Sequence, residues 1–280
     1  MPQTLSQPYV ESIRAWQGER HAELSRPDGW LTLAGLFWLE SGENAFGGDP
    51  AQAVAFPGDA PAHMGHFTLD GDGVSVTVAP GVDVRWEGQP VTSMRLVADY
   101  DDGPTTVLTW GSLSWFVIKR GDRYGVRLRD SQHPALAAFT GVECFPIDPA
   151  WRVEAVLDPY DPPQTVQVPT MLGTVMEQAS PGALVFAVDG ETYRLDALGD
   201  SRDEVLNLIF ADATTGKETY GGGRFLSVDA PDGDGRTVID FNRAFNPPCV
   251  FTPYATCPRP PQQNRLALPI PAGEKVYVVA

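Results

Sequence analysis

Residues 105–119 read TTVLTWGSLSWFVIK. Two runs rich in Val, Thr, Trp, Phe and Ile flank Gly111. Each is short, and each is built from residues that fit a pleated, half-buried surface. They are read as two short strands. On the N-terminal side, WLTLAGLFWL at 30–39, VSVTVA at 74–79 and VTSMRLVADY at 91–100 share that character. On the C-terminal side, GALVFAV at 182–188, ETYRLDAL at 191–198, EVLNLIFADA at 204–213, GRFLSVDA at 223–230 and RTVIDFNRA at 236–244 continue it. Turn signals such as Asp70-Gly71-Asp72-Gly73 and Asp232-Gly233-Asp234-Gly235 lie between the runs.

Helical spacing is confined to the start. Tyr9, Val10, Ile13 and Trp16 predict one amphipathic helix over 8–24, ended by Pro27-Asp28-Gly29. ALAAF at 135–139 is at most one helical turn. The fold class is therefore all-β, with one N-terminal helix before two sandwich- or barrel-like units. The turn-rich segments at 120–150 place a boundary between them. The reading divides the chain into 1–29, helix and linker; 30–120, a first β-sandwich; and 121–280, a second antiparallel β domain.

The 280 residues carry a formal charge of −16, with Lys119, Lys217 and Lys275 as the only lysines. Such a balance argues against nucleic acid as a partner, because phosphate binding needs a basic surface. It argues against anionic membranes for the same reason. No run approaches the ~18 apolar residues of a membrane span, and the start lacks a secretory pattern. A cytoplasmic protein is expected.

Common catalytic motifs are absent: there is no Gly-x-Ser-x-Gly elbow, Walker loop, dinucleotide glycine pattern or His-Glu-x-x-His. His63 and His66 lack the further ligands a metal would need, and the two Asp-Gly-Asp-Gly segments do not continue into calcium loops. No metal and no cofactor are expected. His21 is read as solvated on the helix, and His133 as a surface histidine. Cys144 reads as a small core residue. Cys249 and Cys257 read as buried structural thiols first, a disulfide second and catalytic groups third.

The chemistry-bearing region is KETYGGGRFLSV at 217–228. As an extended strand it puts Glu218, Tyr220, Gly222 and Arg224 on one face. Three glycines inside a strand are tolerated at a bulge or where another group approaches the backbone closely. The run RTVIDFNRAFNPP at 236–248 reads as its hairpin partner, with Asp240 and Asn242 facing Arg224 at the open end. The segment FNPPCVFTPYATCPRPPQQNR at 245–265 cannot be a central strand, because its prolines fix φ and remove donors. It is read as a stiff wrapping loop, with candidate cis bonds before Pro248 and Pro258. It carries Asn246, Tyr254, Asn264 and Arg265.

Two resemblances add to this reading. GLFWLESGENAFGGD, HMGHFTLDGDGVSVTV and the run from Val84 to Ile118 resemble a forkhead-associated β-sandwich in their order. Such domains bind phosphothreonine, but Gly48, His63, Met64 and Glu87-Gly88 stand where that family carries its clamp. The resemblance implies a scaffold without phosphate binding. The second is carried by DATTGKETYGGGRFL, DFNRAFNPPCVFTPYATCP, NRL and AGEK, with GWLTLAGLFWLESGENAFG and RGDRYGVRLRD. It resembles a bacterial and archaeal family catalogued only as domain of unknown function 1684. Matching positions include Gly221, Gly223, Cys249 and Cys257. The family brings no established activity with it.

The functional expectation is an enzyme, a hydrolase or lyase acting on a small polar or anionic molecule in a pocket of the second β domain. Asp240, Glu218 and Tyr220 are the candidate catalytic groups. Arg224, Asn242, Arg243, Asn246, Tyr254, Asn264 and Arg265 are the candidate substrate-binding groups. The alternatives are a small-ligand binder without catalysis, and a structural or interaction protein whose polar residues saturate one another.

Overall fold

The structure, a computed structural model, describes residues 6–71, 73–99, 101 and 103–278. Asp72 and Tyr100, which belong to the expected 70–73 turn and the 91–100 run, lie outside the described residues. So do the first five residues of the N-terminal reading.

The 105–119 stretch forms a hairpin. Leu108–Trp110 and Leu113–Arg120 pair antiparallel with Leu113 opposite Trp110. Gly111 turns between them at φ 56°, left-handed backbone that a residue without Cβ adopts freely. The hairpin sits in a six-stranded sheet in the order Leu33–Trp38, Arg123–Asp130, Leu113–Arg120, Leu108–Trp110, Arg85–Trp86, Gln89–Pro90. A five-stranded sheet runs Val54–Ala55, Gly42–Gly47, Gly65–Asp70, Gly73–Val78, Ser93–Leu96. The core of this unit gathers round the fully buried Trp115, whose ring lies 6.0 Å from Phe46 and 4.9 Å edge-on from Phe56. Phe67, Val76, Leu108 and Leu128 complete it. Removing one such aromatic costs about 3–5 kcal/mol.

Where the sequence suggests breaks after 29 and 120, packing gathers the chain differently. Leu24–Phe139 is one compact unit; the other joins the N-terminal helix, to Glu23, with the chain from Thr140 onward. The helix spans Gln7–Leu24. Its buried stripe runs through Ile13 and Arg20, so an apolar and a charged residue share one face. The face is polar because its partner is polar: Arg20 donates to the Asn246 carbonyl at 3.0 Å and lies 3.4 Å from the buried Glu274 carboxylate. His21, expected in solvent, is instead half-buried, and its Nε2 accepts from the Val142 N–H at 3.1 Å. That packing lowers its pKa, chiefly through desolvation.

In this unit a four-stranded antiparallel sheet is ordered Glu191–Ala197, Val175–Val188, Arg152–Pro169, Arg236–Asp240. A separate pair joins Val205–Phe210 to Arg224–Asp229. Phe186, Phe210 and Phe241 form the aromatic centre, with Phe241 at 5.6 Å from Phe186 and 5.5 Å from Phe210. The cis peptide bond among the described residues is Asp161–Pro162; the bonds before Pro248 and Pro258 are not cis.

Two expectations are corrected. The expected hairpin of 222–229 with 236–244 does not form, since the two strands belong to different sheets. Pro231 has no N–H for a ladder, and the Asp232 carboxylate takes the N–H groups of Asp234 and Arg236, each at 2.9 Å. The turn thus sends the chain to a new partner. Nor is 218–223 a strand. Thr214 O accepts from the N–H groups of Lys217, Glu218 and Thr219, curling the segment into turns, and the strand begins only at Arg224. No helix among the described residues is long and apolar enough to cross a membrane.

Candidate functional site

The proline-rich segment wraps the second unit and is tied down at two places. Near its middle, Arg259 N–H donates to Pro169 O at 2.6 Å and Met171 N–H to Cys257 O at 3.0 Å. Near its end, Asn264 is fully buried and serves as a clamp. Its Oδ1 accepts from Asp196 N–H at 2.7 Å, and its Nδ2 donates to Asp196 O at 2.9 Å and Ile209 O at 3.1 Å. Between these ties lies a cavity of about 300 Å³, lined by Tyr220, Gly221, Gly222, Gly223, Arg259, Pro260 and Arg265 with Ala211. That volume is at the small end of ligand sites.

The glycines make the notch. Gly223 has φ +86°, and a Cβ there would lie 2.3 Å from the Pro260 ring and 2.6 Å from Phe210 O. A Cβ on Gly222 would meet the Tyr220 ring at 2.3 Å. The close approach that three glycines anticipate is that of the proline loop. Gly223 N–H bonds to Tyr220 O at 3.0 Å, whereas among the described residues the N–H groups of Gly221 and Gly222 make no hydrogen bond.

Two arginines flank this backbone, and both are exposed. Arg259 donates its Nε to the Met171 sulfur at 2.9 Å, and Arg265 makes one long contact, 3.5 Å, to Pro260 O. Among the described residues neither is in an ion pair. In a chain of net charge −16, two uncompensated guanidinium groups beside bare N–H donors form a local positive site.

Beside the cavity lie two thiols. Cys257 is buried, Cys249 half-buried, and Cys249 N–H donates to the Cys257 sulfur at 3.2 Å. The Cys249 thiol is held down to about 7, first by its hydrogen bond with Cys257, then by Tyr220 and by the charge of Arg259, against the opposing effect of burial. The Tyr220 phenol is pushed up by burial and by Cys249, so it stays a donor at neutral pH.

The other sequence-derived candidates are placed elsewhere. Arg224 is fully buried, and its guanidinium bonds the Asp212 carboxylate at 2.7 Å and the carbonyls of Ile270 and Ala272. Asp240 accepts from Tyr9 Oη at 2.9 Å and lies 3.8 Å from Arg243. Asn242 bridges Asp240 to Asp148, donating to Asp148 O at 2.8 Å and accepting from Asp148 N–H at 3.0 Å. Arg224 is thus partnered by Asp212, whereas Asp240 and Asn242 bond one another together with Tyr9 and Asp148, so the expected convergence of Asp240 and Asn242 on Arg224 does not form. Asn246 binds the Glu274 carboxylate through its N–H at 2.7 Å and Lys275 O through its side chain at 2.7 Å. Glu218 is exposed on the turn, and Tyr254 is half-buried with its N–H on Thr252 Oγ1 at 3.2 Å. Of the ten candidates, the cavity gathers Tyr220 and Arg265.

Sequence reasoning passed over Arg259, Asp212 and the N–H groups of Gly221 and Gly222. Arg259 stands between Pro258 and Pro260, a rigid setting that marks it. Asp212 carried no signal, because nothing local shows that it faces Arg224 across twelve residues. Among the described residues, no three His, Cys, Asp or Glu side chains gather as a metal set.

The family model described as "Protein of unknown function (DUF1684)" matches residues 137–275. The chain belongs to this family. A solution NMR structure of an uncharacterized protein of Haloarcula marismortui is 32% identical to it, covering 51% of this chain and 80% of that one, with a TM-score of 0.42. No curated protein matches. The cavity, the two thiols and every candidate from Glu218 to Arg265 lie within the DUF1684 segment. The forkhead-associated resemblance falls before it and gains no support from it.

Proposed function

We propose that this DUF1684 protein binds a small anionic molecule, a carboxylate or phosphate, in the cavity between Gly221–Gly223 and Arg259–Arg265. The observation that carries the reading is the pairing of two arginines without acidic partners and two bare glycine N–H groups on one notch. A guanidinium fork matches carboxylate and phosphate oxygens, and successive N–H groups add fixed positive dipoles. Tyr220 supplies a neutral donor. In this reading Tyr220 and Arg265 contact the ligand. Arg224, Asp240, Asn242, Asn246 and Asn264 hold the frame that positions them.

A wider depression of about 490 Å³ lies along the strands from Glu154 to Val156 and Arg236 to Val238. Its lining sets one arginine, Arg236, against the carboxylates of Glu154 and Asp232, so it offers less to an anion than the smaller cavity does.

Thermal melts with a panel of small phosphates and di- or tricarboxylates test the proposal. A ligand at a hundred times its Kd adds about 2.7 kcal/mol of stability. Arg259→Ala and Arg265→Ala are each expected to weaken binding tenfold or more, about 1.4 kcal/mol, while leaving the unliganded melt unchanged because both side chains are exposed. Equal stabilisation of parent and variants by every anion would refute it.

The hydrolase or lyase reading extends the same site. Tyr220, kept protonated, would give a proton to the leaving group of the bound anion. Tyr220→Phe then abolishes turnover of any substrate found while binding persists. Undiminished turnover in that variant removes Tyr220 from the chemistry.

A further inference from the structure

Cys249 and Cys257 are eight residues apart, yet the Cys249 N–H lies 3.2 Å from the Cys257 sulfur, which brings the two side chains together. The setting is rigid: Pro247 and Pro248 precede the first thiol, and Pro253 and Pro258 bracket the second. The two thiols are unequal. Cys257 is 5% exposed, whereas Cys249 is half-buried. Tyr220 and Arg259 border Cys249, a neutral donor and a positive charge, and both favour its thiolate. The third cysteine offers a contrast within the same unit. Cys144 donates to Val142 O at 3.7 Å and sits by Glu274 and Glu143; burial and these carboxylates push its thiol up to about 12.

We propose that Cys249 and Cys257 form a redox-active dithiol, with Cys249 the attacking thiolate, Cys257 the resolving thiol, and hydrogen peroxide or a small alkyl hydroperoxide the oxidant. The Cys249 thiolate attacks one peroxide oxygen. An S–O bond forms, the O–O bond breaks, and the leaving oxygen takes a proton to become water or an alcohol. Cys249 is then a sulfenic acid. The Cys257 sulfur attacks the Cys249 sulfur, an S–S bond forms, and the departing hydroxide leaves as water with the Cys257 proton. Two thiols lose two electrons in all, and one peroxide gains them. The half-buried position of Cys249 selects small oxidants over bulky disulfides. This inference does not depend on the anion reading, since the thiols need no bound ligand.

The full chain, treated with one equivalent of hydrogen peroxide at pH 7 and mapped by mass spectrometry, tests it. The expected product has lost two hydrogens and carries a Cys249–Cys257 crosslink, with Cys144 still a thiol. Cys257→Ser should stop at a Cys249 sulfenic acid that dimedone traps, and Cys249→Ser should form no crosslink. Cys249 should react at least about tenfold faster than Cys144 in the same chain. The proposal is overturned if Cys249 reacts no faster than Cys144, or if its oxidation goes on to sulfinic acid without crosslinking to Cys257. Each variant's circular dichroism and melting curve is compared with the parent. Should the serine variants fail to fold, the parent's own rate comparison and crosslink map still decide the matter.

Discussion

Arg224 shows what a single residue can and cannot announce. Its place beside three glycines marks it as special, and the structure makes it special in a different way. It is a fully buried cation, closed off by Asp212 and two carbonyls. A charge removed from water must be met by an opposite charge, and removing one partner of such a pair costs about 3–5 kcal/mol. Asp212→Ala is therefore expected to destabilise the protein by about that much, read by urea unfolding. It should do so more than Asp240→Ala, since Asp240 keeps some access to water and its near cation, Arg243, is partly exposed. Similar losses for the two would contradict the reading. Gly223 is the other residue whose type is dictated. Ala there meets Pro260 and Phe210 O while φ is +86°, so Gly223→Ala should lower stability by about 1–3 kcal/mol. Calorimetric melts show whether it does. Gly221→Ala, with only Gly216 nearby at 3.8 Å, should cost far less.

At the scale of elements, periodicity and composition revealed most of the strands. TTVLTWGSLSWFVIK is a hairpin because its β-branched and aromatic runs stop at a glycine able to turn. The strand alternation expected for 218–224 failed because local hydrogen bonds won. Asp212 accepts from Thr214 N–H at 2.7 Å and Thr214 O gathers three N–H groups, which bends the segment before any ladder can form. Strand partners were illegible too, since pairing is decided by distant segments. The proline-rich element is legible as a stiff wrapping loop, and its thiols read first as structural. Their contact depends on how 249 and 257 fold back on each other. That element carries a pH prediction. Cys249 is held down to about 7 by Cys257, Tyr220 and Arg259. Its thiolate is therefore present above pH 7 and is lost as pH falls below it. Iodoacetamide labelling of Cys249 should rise with a midpoint near 7, and Arg259→Ala should move that midpoint upward. A midpoint at the ordinary thiol value in the parent would show that these neighbours do not act on it.

At the scale of the molecule, the N-terminal helix packs with the chain from Thr140 onward although 116 residues, Leu24–Phe139, intervene. No local pattern reports such a return, and for this reason the sequence reads the helix as a separate piece with its linker. The consequence is testable. The helix supplies Arg20 to the buried Glu274, whose pKa is raised by burial despite that arginine. Deleting residues 1–23 would leave Glu274 without its cation and empty the site that Ile13 fills. The 140–280 unit should then lose its cooperative thermal transition; an unchanged transition would show that the helix is an accessory. The overall acidity, −16, was legible from composition. What composition could not show is the exception to it, a cleft where Arg259 and Arg265 stand without carboxylates beside two glycine N–H groups. The most direct test of that cleft is an amide NMR titration of the full chain with inorganic phosphate and with malonate. Saturable shifts are expected at the Gly221 and Gly222 amides and the Arg259 Nε–H, absent in the Arg259→Ala/Arg265→Ala variant. Shifts that saturate elsewhere, or that persist unchanged in the variant, would contradict it.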